Sequence, residues 1–278
     1  MKQLPTKSLI FTVAIGALLA PLYCRHHNAK AQPTQSRAEP ITQKFMVDGV
    51  ERTAIIVPNS ATAPKEGSPL VFIFHGHGGT ARNSFNRFEI HRHWPEAVVA
   101  YMQGLPTVTG RDPDGKLPGW QNAPGLQGDR DLKFFDAVVD WAKKTYKIDA
   151  NRIFAGGHSN GGGMTYALWT ARSQMIAAFA PSAAVFGFKA ARSQPKPALL
   201  IVGQGDTIVP TANQERNVTI VLNLNQCETT GKQFAPNVTR YKSKVGADTA
   251  VYNHNEGHRM PDNTGEMMVK FFKEHRLK

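Results

Sequence analysis

One run constrains this chain more than any other. Arg152–Ala155 is apolar and strand-like, Gly156-Gly157-His158-Ser159-Asn160-Gly161-Gly162-Gly163 follows, and Met164–Thr170 is helix-compatible. Strand, tight turn and helix succeed one another with G-x-S-x-G (Gly157, Ser159, Gly161) at the turn. A serine at the tip of so sharp a bend needs neighbours without side chains, so that the backbone can turn and a substrate can approach. The helix N-terminus behind it offers free N–H groups to a developing negative charge. The run lacks the Gly-Lys-Ser/Thr ending of a phosphate loop and does not follow G-x-G-x-x-G spacing. The bland alternative is a glycine-rich packing turn.

The flanking sequence fits such a unit. Leu70–Phe74, Ala97–Met102, Arg152–Ala155 and Ala198–Val202 are continuous apolar runs, with Thr249–Tyr252 a weaker fifth. Runs of this kind suit strands buried on both faces of a parallel sheet. Lys44–Val47 and Glu51–Val57 flank Asp48-Gly49, which predicts an opening β-hairpin. Leu132, Phe135, Val139, Ala142 and Tyr146 recur at spacings of three and four, predicting a helix from about 130 to 147. Asn263 and Glu266 resemble a capping box opening a last helix, with Met267/Phe271 and Met268/Phe272 as its apolar face. Strands alternating with helices predict an α/β fold, a mostly parallel sheet with helices on both faces. Ligands then bind beyond the carboxyl ends of the strands.

Composition narrows the function classes. Lys2 and Lys7 precede an uncharged apolar run, Leu9 to Leu22, and Ala29-Lys30-Ala31 supplies a small-x-small cleavage pattern. Residues 1–31 are expected to be a signal peptide, residues 32–40 a polar linker, and residues 41–278 one catalytic domain. The apolar run is shorter than a spanning helix needs, so no stable membrane anchor is expected after cleavage and the product is expected to be secreted or periplasmic. The leader carries Lys2, Lys7, Arg25 and Lys30 and no acid. Removing these four from 33 basic residues leaves 29 against 21 acidic ones, so the formal +12 becomes +8. No lysine-rich run or aromatic-basic interleaving marks a nucleic-acid surface. Of the two cysteines, Cys24 leaves with the leader and Cys227 remains alone, so neither a disulfide framework nor a four-cysteine zinc site is available.

A serine hydroxyl becomes a useful nucleophile when a histidine takes its proton and a carboxylate fixes that histidine. After the serine, the sequence offers Asp206 on the glycine-rich turn Gly203-Gln204-Gly205-Asp206, then His258 in Asn255-Glu256-Gly257-His258-Arg259-Met260-Pro261. His254 is a rival base and Asp248 a weaker rival acid. Oxyanion donors are expected from the Asn160 N–H and from the turn His75-Gly76-His77-Gly78-Gly79. Within that turn His77 is preferred and Gly78 is the alternative. The pairs His75/His77, His91/His93 and His254/His258 raise a zinc reading. Further ligands and an H-E-x-x-H motif are missing, so no metal is expected.

These residues together resemble a known family. His75-Gly76-x-Gly78-Gly79, Gly157-His158-Ser159-Asn160-Gly161-Gly162, Asp206-x-x-Val209-Pro210 and Gly257-His258-x-x-Pro261 are similar to the secreted α/β-hydrolase esterases grouped as poly(3-hydroxybutyrate) depolymerase-like proteins and feruloyl esterases. The likeness runs from about Phe45 to Phe272. It implies an α/β-hydrolase fold, with Ser159 as nucleophile, Asp206 as acid and His258 as base. It further implies Trp120 at the substrate and no cofactor. The chain departs from the family at Met260, where many members have tryptophan, and at Val202-Gly203, where many have His-Gly. Asn225-Gln226-Cys227 stands near the family's Asn-Gly-Cys, and the disulfide partner common in relatives is missing. The implied reaction is hydrolysis of a carboxylic ester, with feruloyl or acetyl groups on plant polysaccharide as substrate. A poly- or oligo-hydroxybutyrate ester is the runner-up. A peptidase of the same fold and a non-catalytic binding protein are lower alternatives. The expected partner is the ester substrate, with no nucleic acid.

Overall fold

Asp48 and Gly49 both take positive φ, 49° and 79°, the geometry of a hairpin turn that follows the twist of its strands. They join β1 (Ile41–Val47) to β2 (Val50–Val57) with Val47 opposite Val50, as the sequence predicts. This hairpin forms one edge of a ten-stranded sheet in a computed structural model that describes residues 39–186 and 193–277. The expected signal peptide, Cys24 and most of the expected linker lie outside the described residues.

The other strands of the sheet are β3 (Ser68–Phe74), β4 (Val98–Met102), β7 (Ile148–His158), β8 (Ala178–Ser182), β9 (Ala198–Gly203), β10 (Lys232–Ala235), β11 (Val238–Tyr241) and β12 (Thr249–His254). A separate ribbon pairs β5 (Leu105–Pro106) with β6 (Pro118–Gly119). The sheet order is β1-β2-β4-β3-β7-β8-β9-β12-β11-β10. The six strands from β4 to β12 run parallel, and the pairs at both edges are antiparallel.

Successive side chains on a strand point to opposite faces, and here both faces are covered. Leu70, Phe72 and Phe74 of β3 pack on the side of α3 (Arg130–Thr145) and α4 (Asn160–Arg172). Val71 and Ile73 pack on the other side, with α1 (Ala81–Phe88), α2 (Ile90–His93) and α6 (Thr264–Phe272). This double burial is why the predicted strands read as unbroken apolar runs rather than alternating ones. In α3 the predicted face is buried at Leu132, Phe135, Val139 and Ala142.

Five strands and three helices lie outside the sequence reading; of these β5, β6, α1 and α2 are short elements of two to eight residues. β8 is Ala-Phe-Ala-Pro-Ser, buried throughout, but apart from Phe179 its residues are small or proline and carry little strand signal. β10 and β11 are short, half-polar and at the sheet edge. α5 (Thr211–Leu224) buries only Gln214, Asn217 and Val221, too few apolar positions to set a period. The expected capping box at Asn263 is a correction: its side chain makes no cap bond, and its Oδ1 instead accepts the Tyr252 hydroxyl at 2.7 Å.

The chain leaves β3 for β4 on one side and then returns to pair β7 on the other. Such a reversal opens a crevice at the carboxyl ends of the strands. The turns after β3, β7, β9 and β12 all end there.

Candidate active site

Ser159 follows β7 directly and caps the start of α4, with φ 56° and ψ −120°. A residue with a side chain held there costs about 1–3 kcal/mol of backbone strain. The surroundings enforce it. The Ser159 N–H donates to Ser182 O at 2.8 Å, fixing the bend to β8. At Gly161 a Cβ would overlap the Phe74 carbonyl and lie 2.5 Å from His75 O, so only glycine lets α4 begin this close to β3.

Asp206 follows β9 and is 4% exposed. Its Oδ1 accepts the Ile208 and Val209 N–H groups at 2.8 and 2.9 Å, and its Oδ2 accepts from Gln214 Nε2 at 2.8 Å. Burial alone pulls its pKa upward, but hydrogen bonds from His258, Val209 and Ile208 outweigh that and hold the carboxyl below its ordinary value. An ionised carboxylate only accepts. His258 Nδ1, 2.8 Å from Asp206 Oδ2, therefore carries the proton, and its Nε2 lone pair faces Ser159 Oγ at 3.0 Å. The three side chains form one hydrogen-bonded line.

The rivals stand elsewhere. His254 is 6% exposed, its Nδ1 accepts the Glu256 N–H at 3.2 Å, and burial lowers its pKa. Asp248 precedes β12, at the opposite end from His258, and binds Ser243 N and Lys242 Nζ. His158 packs beside the line, its ring 4.9 Å from that of His258 and its Nδ1 3.1 Å from Ser182 Oγ. Burial, with His258 nearby, lowers its pKa to about 4, so it adds no charge beside His258 at neutral pH.

The turn after β3 closes over the serine. A Cβ on Gly76 would lie 3.6 Å from Ser159 Cβ. The Gly78 N–H donates to Pro118 O at 2.7 Å and is committed. The His77 and Asn160 N–H groups have no acceptor among the described residues. Asn160 opens α4, where an N–H has no partner within the helix.

Trp120 requires a correction. It is 1% exposed, its indole N–H donates to His75 O at 2.8 Å, and its ring packs on Phe74 and His75. It lies beneath the turn and cannot face a substrate. Its main chain is also held by Asn160, whose Oδ1 accepts the Trp120 N–H at 2.7 Å and whose Nδ2 donates to Trp120 O at 3.0 Å.

A cleft of about 290 Å³ opens beside the turn, bounded by Gly76, His77, Arg87, His158, Arg259 and Met260. Arg87 donates to Met260 O and pairs with Asp262, anchoring the loop that carries His258. Met260, the departure from the family pattern, thus shapes this cleft. Of the histidine pairs, His75 is 2% exposed, with Nε2 accepting the Gly104 N–H and Nδ1 against Gly76 O. His91 Nδ1 meets the Tyr101 hydroxyl at 2.8 Å. Among the described residues no group of three or more His, Cys, Asp or Glu side chains is placed to hold a metal ion. Cys227 is a free thiol, raised in pKa by burial, with its Sγ 3.5 Å from Thr249 Oγ1. Sequence reasoning did not find Gln214 and Asp112, each of which binds a site residue. Both are polar residues inside polar segments, and no spacing distinguishes them.

The chain has the α/β-hydrolase fold, with a Ser-His-Asp line at the carboxyl ends of its strands. The chain resembles the feruloyl and acetylxylan esterases of that fold. It is 30% identical over 162 residues to a bifunctional acetylxylan esterase/xylanase of Neocallimastix patriciarum, a match covering 58% of this chain and 22% of that protein. It is 33% identical over 110 residues to feruloyl esterase C of Emericella nidulans, covering 40% and 38%. These matches span less than half the length of either relative. The solved structure of an acetyl xylan esterase from Aspergillus awamori superposes with a TM-score of 0.60 at 14% identity, covering 84% of this chain and 99% of that one, a likeness of fold. A family model described as Prolyl oligopeptidase family matches residues 119–194, the segment that contains the serine turn.

Proposed function

We propose that the protein is a serine carboxylic-ester hydrolase. The observation that carries this reading is the line Ser159 Oγ–His258 Nε2–His258 Nδ1–Asp206 Oδ2, with links of 3.0 and 2.8 Å. Ser159 Oγ attacks the ester carbonyl carbon as His258 Nε2 takes the hydroxyl proton. The carbonyl oxygen becomes an oxyanion held by the Asn160 and His77 N–H groups, each such donor contributing about 3–4 kcal/mol at the transition state. Collapse of this tetrahedral species expels the alcohol, which leaves with the proton from His258. Water, deprotonated by the same histidine, attacks the acyl-serine, and a second collapse releases the acid and restores Ser159. Asp206 stays ionised throughout and stabilises the imidazolium.

The similarity to feruloyl and acetylxylan esterases supports a feruloyl or acetyl ester of plant polysaccharide as substrate. A hydroxybutyrate polyester remains the second choice, supported by the sequence motifs alone. The leader pattern of residues 1–31 supports export, which would leave Gln32 as the first residue of the mature chain. The test expresses the gene with its leader, sequences the N-terminus of the exported protein, and assays p-nitrophenyl acetate, methyl ferulate and hydroxybutyrate oligomers. Ser159→Ala and His258→Ala are each expected to lower turnover by about 10⁴–10⁶. Turnover in Ser159→Ala equal to wild type would end the esterase reading.

A further inference from the structure

The two N–H groups assigned to the oxyanion come from residues 77 and 160, on separate strand-to-helix turns. Their side chains, however, converge on one small element, the β5–β6 ribbon and the loop it closes. Asn160 is held through its amide by the Trp120 main chain, one residue beyond β6. His77 Nε2 lies 3.1 Å from Asp112 Oδ2, at the tip of the ribbon loop. Between them, Gly78 N–H donates to Pro118 O of β6. Gly119 fits against both: a Cβ there would lie 2.7 Å from His77 Nδ1 and 2.9 Å from Asn160 Oδ1.

Asp112 is itself held in place. Its Oδ2 accepts the Leu117 N–H at 2.8 Å and its Oδ1 the Lys116 N–H at 3.2 Å. It is 9% exposed. The Leu117 bond above all, with those of Lys116 and His77, keeps its carboxyl below the ordinary value. As a carboxylate it can only accept, so His77 Nε2 donates to it. His77 Nδ1 is buried without a hydrogen-bond partner among the described residues. The ring is thereby fixed in rotation from one side only, by Asp112. The ribbon's other end is pinned by Arg130, which donates to Pro106 O and Thr107 Oγ1.

We propose that Asp112 is a positioning residue of the oxyanion site. It acts through the His77 ring to aim the His77 N–H, and the Leu105–Trp120 ribbon is the clamp that sets both donors in common. The proposal rests on the esterase reading given above. Donors that meet charge only as it develops affect the transition state and not the bound ester. Loss of Asp112 therefore shows in kcat, with KM nearly unmoved. A displaced donor costs about 10–100-fold, less than an absent one.

The experiment uses the mature chain with p-nitrophenyl acetate and, as a tetrahedral probe, a reversible aryl boronic acid. Asp112→Ala should lower kcat by about 10–100-fold, leave KM within about twofold, and weaken boronate binding by the same factor as kcat/KM. Asp112→Asn keeps an acceptor for the loop N–H groups and should fall between Ala and wild type. It also serves if the alanine variant does not fold. His77→Ala keeps the backbone donor and loses the tether, so the double variant Asp112→Ala/His77→Ala should be no worse than the more impaired single one. Unchanged kcat, a defect confined to KM, unchanged boronate affinity, or additive losses in the double variant would each overturn the proposal. Ser159→Ala is run in parallel. If it keeps full turnover the esterase reading fails, whereas a dead Ser159→Ala beside a fully active Asp112→Ala removes the positioning role alone.

Discussion

Gly161 and Ser159 show how the geometry of the candidate site is written in single residues. The serine's φ of 56° is held because Gly161 lets the first turn of α4 press against the carbonyls of Phe74 and His75. Gly161→Ala should destabilise the fold by about 1–3 kcal/mol by overpacking. It should also cost more activity than the fraction unfolded explains, because α4 and Ser159 move with it. Urea melts and turnover on the same preparation check both. The motif was legible because sterics leave so few residue choices at such a turn. His258 was legible for a related reason, its place in a turn after the last parallel strand. Trp120 misled, because a large aromatic near a site looks the same in sequence whether it faces the ligand or lies beneath the loop. At Gln226 the left-handed φ of 51° shows a backbone demand met without the glycine that usually announces it.

Among the elements, legibility followed burial on two faces. β3, β4 and β9 are buried at every position and read as apolar runs, whereas β7 shows this only over its later half, its first residues being partly polar and exposed. β8 is equally buried, but Phe179 is its one large side chain among small residues and a proline. β10, β11 and α5 are held by neighbours rather than by their own pattern. The join between β2 and α3 was likewise invisible. Arg52, 2% exposed, reaches Asp131 at 2.7 Å and lies over the Phe134 ring. Asp131 Oδ2 also accepts the Gln121 N–H, so the pair pins the segment leading from the ribbon into α3. Removing one partner leaves a buried charge unpaired. Arg52→Ala and Asp131→Ala should each cost about 3–5 kcal/mol, seen as a lower urea midpoint. A paired Arg52→Met/Asp131→Leu variant should lose much less.

For the molecule as a whole, acid is the expected weakness. His75 and His158 are held near pKa 4 mainly by burial, and burial also lowers His254 and His275. The fold favours their neutral forms, while the unfolded chain takes up protons near 6.5. Stability is therefore full above about pH 6.5 and declines as pH falls toward 4. His75 alone accounts for about 2 kcal/mol by pH 5. Asp206, Asp112 and Asp248, all lowered in pKa, extend the loss further into acid as they become protonated. Thermal melts at pH 7.5 and 5 should show a clear drop in Tm, and an unchanged Tm would mean these histidines are solvated.

The spread of the hydrogen-bonded line along the chain has a kinetic consequence. Ser159 and His258 are 99 residues apart, and His258 depends on β12 pairing in parallel with β9. Parallel pairing closes a long loop before it returns any contact energy. During refolding, secondary structure and even a bent Ser159 can form while the second half of the sheet is still open. The proposed hydrolysis would return only when that last register is set, so turnover of p-nitrophenyl acetate would serve as a clock for the final assembly step.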